Sequence, residues 1–223
     1  MLEESAEREW CETCRERLMP EPFVGCPFCG TFLEKSPPLA HHCHFCQNEV
    51  NYFDRVIPFG KYVGNLRYLV LEMKKARKEP LVRAVAELVW EHRRQWLRRC
   101  RADVVIPVPM HWFYRYCRGM NNPDILAEVL AEKLELPLEN RRVRVRRMTL
   151  SQRSVEFSQR KENVRNLFQL TPPPSPWEGK RVLLVDDVVT SGATCNALAH
   201  LLKTEWKVSF VAVVVVARAG RKQ

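Results

Sequence analysis

The chain has 223 residues, 46% of them hydrophobic, with a formal charge of +10 and a pI near 9.3. That length supports one sizeable packed core plus a small module, which excludes wholesale disorder and leaves too little chain for two full α/β domains. The positive balance points to anionic partners: nucleic acid, phosphorylated metabolites or acidic proteins.

Met1–Trp10 is acidic and polar, where a secretory leader is basic and then apolar. No apolar run reaches the roughly 18 residues of a membrane span. The expected location is therefore cytoplasmic, with no membrane span. Six of the nine cysteines fall in the first 50 residues, as Cys11-x-x-Cys14, Cys26-x-x-Cys29 and Cys43-x-x-Cys46. Without an export signal, such spacing indicates metal or reactive thiols, not disulfides. A Cys-x-x-Cys turn aims two thiolates at one ion, and two turns close a tetrahedral zinc site. The preferred pairing is Cys26, Cys29, Cys43 and Cys46 as one complete ribbon. Cys11 and Cys14 are then left over, free to share a second ion with His41, His42 or His44. The alternative builds the site from the first two pairs. Four sulfurs leave no open position, so the zinc is expected to be structural. Residues 1–50 read as a zinc-ribbon module and 51–223 as the main domain.

Along the main domain, Tyr52–Val63 reads as a strand, punctuated by Gly64. Leu66, Leu69, Val70 and Met73 recur at helical spacing, and Pro80 breaks that helix. Leu81–Arg99 carries a second apolar stripe. The segment "ADVVIPVPM" is a short strand ending in Pro107 and Pro109, followed by a helix over Pro123–Leu134. Arg142–Arg146 alternates arginine and valine, so a strand there puts Arg142, Arg144 and Arg146 on one basic face. Leu150–Arg165 is long and polar, a mobile loop running into a helix, and "TPPPSP" is a stiff surface segment. The chain closes with strand Val182–Val185, helix Ala193–Trp206 and strand Val208–Val216. Strands alternating with helices predict an α/β fold with a parallel sheet covered on both faces.

The segment "VLLVDDVVTSGATCNAL" concentrates the chemistry. An apolar strand runs into Asp186 and Asp187, and in open α/β sheets ligands bind beyond the carboxyl ends of strands. Thr190, Ser191, Gly192, Ala193 and Thr194 then offer backbone N–H groups and hydroxyls at a helix start, a cradle for phosphate. Helix capping alone asks for one acceptor, not two acids and a Thr-Ser-Gly turn. No Gly-Lys-Ser/Thr follows, so this is not a nucleoside-triphosphate loop. Acids beside a phosphate cradle suit a ligand with hydroxyls as well as a phosphate, and a ribose 5-phosphate has both.

That segment resembles the phosphoribosyl-pyrophosphate motif of type I phosphoribosyltransferases. "VIPVPMHWFYRYCRGMNN" and "SQRKENVRNLF" resemble segments of the ComF family, the phosphoribosyltransferase-like competence proteins, and the cysteine pairs resemble that family's double zinc ribbon. The similarity covers nearly the whole chain. It implies a type I phosphoribosyltransferase-like sheet in which Asp186 and Asp187 contact ribose hydroxyls and Thr190–Thr194 hold the 5-phosphate. Pro107, Val108 and Pro109 match the loop that receives pyrophosphate, with a strained or cis peptide as one possibility there. Arg118 and Asn121 stand at the family's Arg and Asn positions. Leu150–Arg165 matches the closing loop, whose Gln152, Arg153, Arg160 and Lys161 would meet pyrophosphate or acceptor. Met120, Asn122 and Pro123 depart from the pattern, which puts the acceptor side in doubt.

The chemistry implied needs no protein nucleophile. Displacing pyrophosphate from ribose C1 builds positive charge on the sugar, so the protein must hold the sugar, neutralise the leaving group and exclude water. Mg²⁺ would arrive with the substrate, and cationic side chains on the loop would stabilise the leaving group. Cys195 reads as a small core residue. The runs around Arg93–Arg101 and Arg141–Arg147 read either as solvated surface or as a track for a nucleic-acid backbone. Three functions follow: phosphoribosyl-pyrophosphate binding in DNA uptake or handling, with or without transfer; a non-catalytic scaffold for single-stranded DNA; and a nucleotide-salvage transferase. Partners are thus a phosphorylated ribose, single-stranded DNA or DNA-uptake proteins.

Overall fold

The computed structural model describes residues 10–20, 22, 24–35, 42–109, 121–146, 167–172 and 177–220. In chain order these form α1 (Glu12–Leu18), β1 (Arg55–Lys61), α2 (Gly64–Met73), α3 (Glu79–Arg99), β2 (Val104–Pro107), α4 (Asn122–Leu134), β3 (Val143–Val145), β4 (Phe168–Leu170), β5 (Arg181–Val189), α5 (Ala193–Glu205) and β6 (Phe210–Arg218).

Four strands make one parallel sheet in the order β1-β6-β5-β2, and β3 pairs antiparallel with β4 apart from it. The strands are apolar at nearly every position because parallel sheets are covered on both faces. Alternation sorts them cleanly. Leu183, Val185, Ala212 and Val214 pack with α2, α3 and α4, while Val182, Leu184, Val211 and Val213 pack with α5 and the β3–β4 pair. The sequence reading of a doubly covered parallel sheet is what the chain adopts.

Element limits shift in instructive ways. Pro80 does not only end the preceding helix; it occupies the first turn of α3, where its missing N–H costs nothing. Pro58 lies inside β1, tolerated because β1 is an edge strand. The carbonyls of Pro58 and Phe59 accept hydrogen bonds of 2.8 Å each from Arg93 Nε and Nη2. Arg93 is only 8% exposed, so it belongs to the fold and not to a basic surface run. In the other run, Val143 is buried and Arg144 exposed, as alternation predicts, but Arg142 is ion-paired with Glu139.

The largest correction concerns the strand before the acids. It does not stop at Val185: β5 continues to Val189 and carries Asp186 and Asp187 within it. β2 ends at Pro107, opposite Val185, whereas β6 keeps pairing, with Asp186 opposite Val215 and Val189 opposite Arg218. The acids therefore extend past the end of one neighbour while the other holds them in register.

Candidate functional site

Several of the sequence-predicted residues come together where β2 stops. Pro107 pairs with Val185, and the Val108 N–H donates to the Val185 carbonyl at 2.8 Å. Asn121 is 4% exposed; its Nδ2 donates to Asp124 at 2.8 Å and lies 3.5 Å from the Val108 carbonyl. Its Oδ1 has no partner among the described residues. Peptide bonds among the described residues are all trans, so the cis option for Pro107–Pro109 is not taken. Arg118, Arg153 and Arg160, with Gln152, Lys161 and the loop Leu150–Arg165, lie outside the described residues.

Pleating sends the two acids to opposite faces. Asp186 turns toward α5, with the Cys195 thiol 3.6 Å from its Oδ2, and its Oδ1 accepts the Asp187 N–H at 2.8 Å. Asp187 turns toward α2, where Lys74 Nζ stands 3.5 Å from its Oδ2. Burial first, and then the Asp187 charge, push the Asp186 carboxyl up to about 8. Lys74 carries no signal of its own in the sequence, where it is one cation in the run "KKARK"; only the packing of α2 against the sheet brings it to the acids. Cys195 is 1% exposed among Leu198 and Ala199, the core role expected of it.

The turn that follows leads into α5. Gly192 caps the helix at φ +84°, a left-handed conformation that a side chain would strain. It rests on Phe53, whose ring lies 3.5 Å from where a Cβ would stand. Thr190, Ser191 and Thr194 are exposed, Gly192 is buried and Ala193 partly so. Ser191 Oγ accepts the Ala193 N–H at 3.3 Å. The result is an open, donor-rich helix start directly beyond the acids, a geometry suited to a phosphate group.

The cysteine centre lies against the same end of β6. Cys26, Cys29, Cys43 and Cys46 are buried, with ligand atoms all within 4.8 Å of one another. Neighbouring sulfurs are 3.7 Å (Cys26–Cys46), 3.6 Å (Cys29–Cys43) and 3.7 Å (Cys43–Cys46) apart. A tetrahedral zinc with bonds near 2.3 Å spaces its sulfurs about 3.8 Å apart, so the four residues fit that ion. Hydrogen bonding from Cys26 and then burial push the Cys29 thiol to about 12, and burial and then the Cys29 charge push Cys46 to about 12. A bound dication would reverse that cost. His42 Nδ1 is 3.4 Å from Cys46 Sγ, and its ring stacks on Phe28 at 4.0 Å. Cys11 and Cys14 are exposed and stand apart: Cys11 Sγ caps α1 by accepting the Cys14 N–H at 3.4 Å. His42 is committed to the four-cysteine centre, and among the described residues no third metal-binding side chain joins Cys11 and Cys14.

The parallel sheet with its flanking helices is a fold of the phosphoribosyltransferase type. Residues 124–223, from α4 through the acid pair to the last strand, match the phosphoribosyl transferase domain. The chain is 30% identical over 196 residues to competence protein F of Haemophilus influenzae, covering 86% of this chain and 83% of that protein. With that relationship over most of both chains, the protein belongs to the ComF family. It is also 27% identical over 198 residues to the DNA utilization protein YhgH of Escherichia coli, covering 86% of this chain and 83% of the relative. Among solved structures, adenine phosphoribosyltransferase from Saccharomyces cerevisiae superposes at a TM-score of 0.39 and 16% identity, covering 62% of this chain and 68% of that one.

Proposed function

We propose that the chain binds phosphoribosyl pyrophosphate, or a related ribose 5-phosphate, together with Mg²⁺, and does so in the handling of DNA in the cytoplasm. One observation carries the reading: Asp186 and Asp187 run past the end of β2 and lead within five residues to the left-handed Gly192 at the start of α5. Hydroxyls of the sugar would meet the acids, and the 5-phosphate the N–H groups around Ser191–Thr194. Pyrophosphate would lie toward Pro107–Pro109 and Asn121. Mg²⁺ supplies charge neutralisation of the pyrophosphate when it is bound. In this reading Arg118, Arg153 and Arg160 are the cations that would stabilise a leaving pyrophosphate, and Zn²⁺ in the four-cysteine centre is structural. The names of the relatives, a competence protein and a DNA utilization protein, support the cellular setting.

The test is calorimetric titration with phosphoribosyl pyrophosphate and Mg²⁺, alongside a pyrophosphate-release assay, for the wild type and Asp187→Asn. Binding that the substitution weakens at least tenfold supports the site; no binding by the wild type overturns it. Pyrophosphate release with a nucleobase acceptor would identify a transferase, and binding without release would leave recognition as the function. A second reading, a scaffold for single-stranded DNA, draws on Arg94, Arg98, Arg99 and Arg101, which are exposed at the end of α3. Anisotropy of a labelled oligonucleotide should then fall steeply with salt, and its absence at low salt would end that reading.

A further inference from the structure

Arg218 ends β6 and is 2% exposed, a buried guanidinium that needs acceptors. Its partners supply them. Nε donates to the Cys29 carbonyl at 3.0 Å, and Nη2 lies 3.4 Å from Thr31 Oγ1. Nη1 donates to the Val189 carbonyl at 3.0 Å and to the Thr190 carbonyl. One side chain thus grips the metal knuckle with one edge and the start of the phosphate turn with the other. We propose that Arg218 is a positioning residue that holds the 5-phosphate turn to the four-cysteine centre, so that metal in the knuckle sets the affinity of the turn for phosphate esters. The proposal rests on the reading of that turn as a phosphate site.

The knuckle end of the link is rigid only while its sulfurs are held. Cys29 Sγ lies 3.2 Å from Thr31 Oγ1, the Gly30 N–H donates to the Cys26 carbonyl at 3.0 Å, and the Cys26 N–H to the Thr31 carbonyl at 2.9 Å. Gly30 sits so close to β1 that a Cβ would fall 2.8 Å from Val56 Cγ1. Four thiols 3.6–3.7 Å apart have no reason to stay together once the ion leaves, because thiolates repel and thiols pair poorly. The Cys29 carbonyl then moves, and a buried guanidinium deprived of an acceptor must find another. The carbonyls of Val189 and Thr190 lose their anchor in the same event. A second strap runs in parallel: Asn196 of α5 accepts the Tyr52 N–H at 2.5 Å and donates to the Val50 carbonyl at 2.9 Å, just after the last knuckle cysteine.

The experiment uses the full zinc-loaded chain, its chelated form and Arg218→Lys, which keeps the charge but cannot span both sets of carbonyls. Zinc content is measured alongside ribose 5-phosphate affinity and hydrogen exchange of the amides from Val189 to Asn196. Arg218→Lys should keep its zinc, bind ribose 5-phosphate roughly 10- to 100-fold more weakly, the worth of one or two charge-assisted hydrogen bonds, and exchange faster at the turn. Chelation should do the same to the wild type and add little in the variant, a coupling that a merely structural arginine would not produce. Unchanged exchange at the turn after zinc removal, or wild-type affinity in zinc-replete Arg218→Lys, overturns the proposal. If the zinc-loaded wild type binds no ribose 5-phosphate, the phosphate reading fails, and the exchange measurement still decides whether metal and turn are linked.

Discussion

Replacing Asp186 by Asn should stabilise the unliganded protein at alkaline pH and leave it unchanged near pH 4. The carboxyl is half-buried on β5, beside a second acid and a thiol, and its pKa is raised from 3.8 to about 8 by burial and by Asp187. Between those two values the folded chain keeps a proton that the unfolded chain has lost. Stability is therefore fully present below pH 4, falls as pH rises toward 8, and is level above that. About 1.4 kcal/mol per unit sets a ceiling of roughly 6 kcal/mol for a shift of about four units. Partial exposure of Asp186 to solvent screens the interaction and reduces the expected difference to about 2–3 kcal/mol at pH 8.5. Asn keeps the Oδ1 that accepts the Asp187 N–H, so the substitution removes charge without removing that bond. Urea unfolding of both proteins from pH 4 to 9 measures the difference; loss of zinc at low pH affects both alike and cancels. A difference that stays constant with pH, or Asp186→Asn being the less stable protein at pH 8.5, would refute the argument that an ionised acid pair strains the empty site.

Metal analysis should return one zinc per chain, retained in the Cys11→Ser/Cys14→Ser double variant and lost in Cys43→Ser. Two zincs per chain, or loss in the double variant, would contradict the separate four-cysteine centre. Arg93→Met should lower stability by about 2–4 kcal/mol, because it leaves the Pro58 and Phe59 carbonyls without their donor. Its exposed neighbour in Arg94→Met should cost less than about 0.5 kcal/mol, so equal urea midpoints for the two would remove the distinction drawn between them. Gly192→Ala should cost about 1–2 kcal/mol from the left-handed backbone, with weakened ribose 5-phosphate binding; wild-type stability and affinity together would show that the turn does not need that conformation.

The local composition of the chain settled a good deal. Apolar runs at Val182–Val185 and Val208–Val216 demanded a sheet buried on both faces, since no exposed face could carry them. The string from Asp186 to Thr194 pointed to a ribose-phosphate ligand and the Cys-x-x-Cys spacing to a metal, because both patterns depend on neighbours a few residues apart. Which cysteines gather, and which arginines are surface, were not local questions. Cys11-x-x-Cys14 matches the other pairs in spacing but begins a helix, and Arg93 differs from Arg94 only in the face it turns to β1. The run from Asp186 onward looked like the end of a strand, and became its middle because β6 keeps pairing to Arg218 after β2 stops. Lys74 and Arg218 were unreadable for the same reason: each lies more than 25 residues from what it touches (Asp187 in one case, Cys29 and Val189 in the other). Sequence patterns report contacts along one helix or strand, whereas these contacts exist only once parallel strands separated by long crossovers are brought side by side.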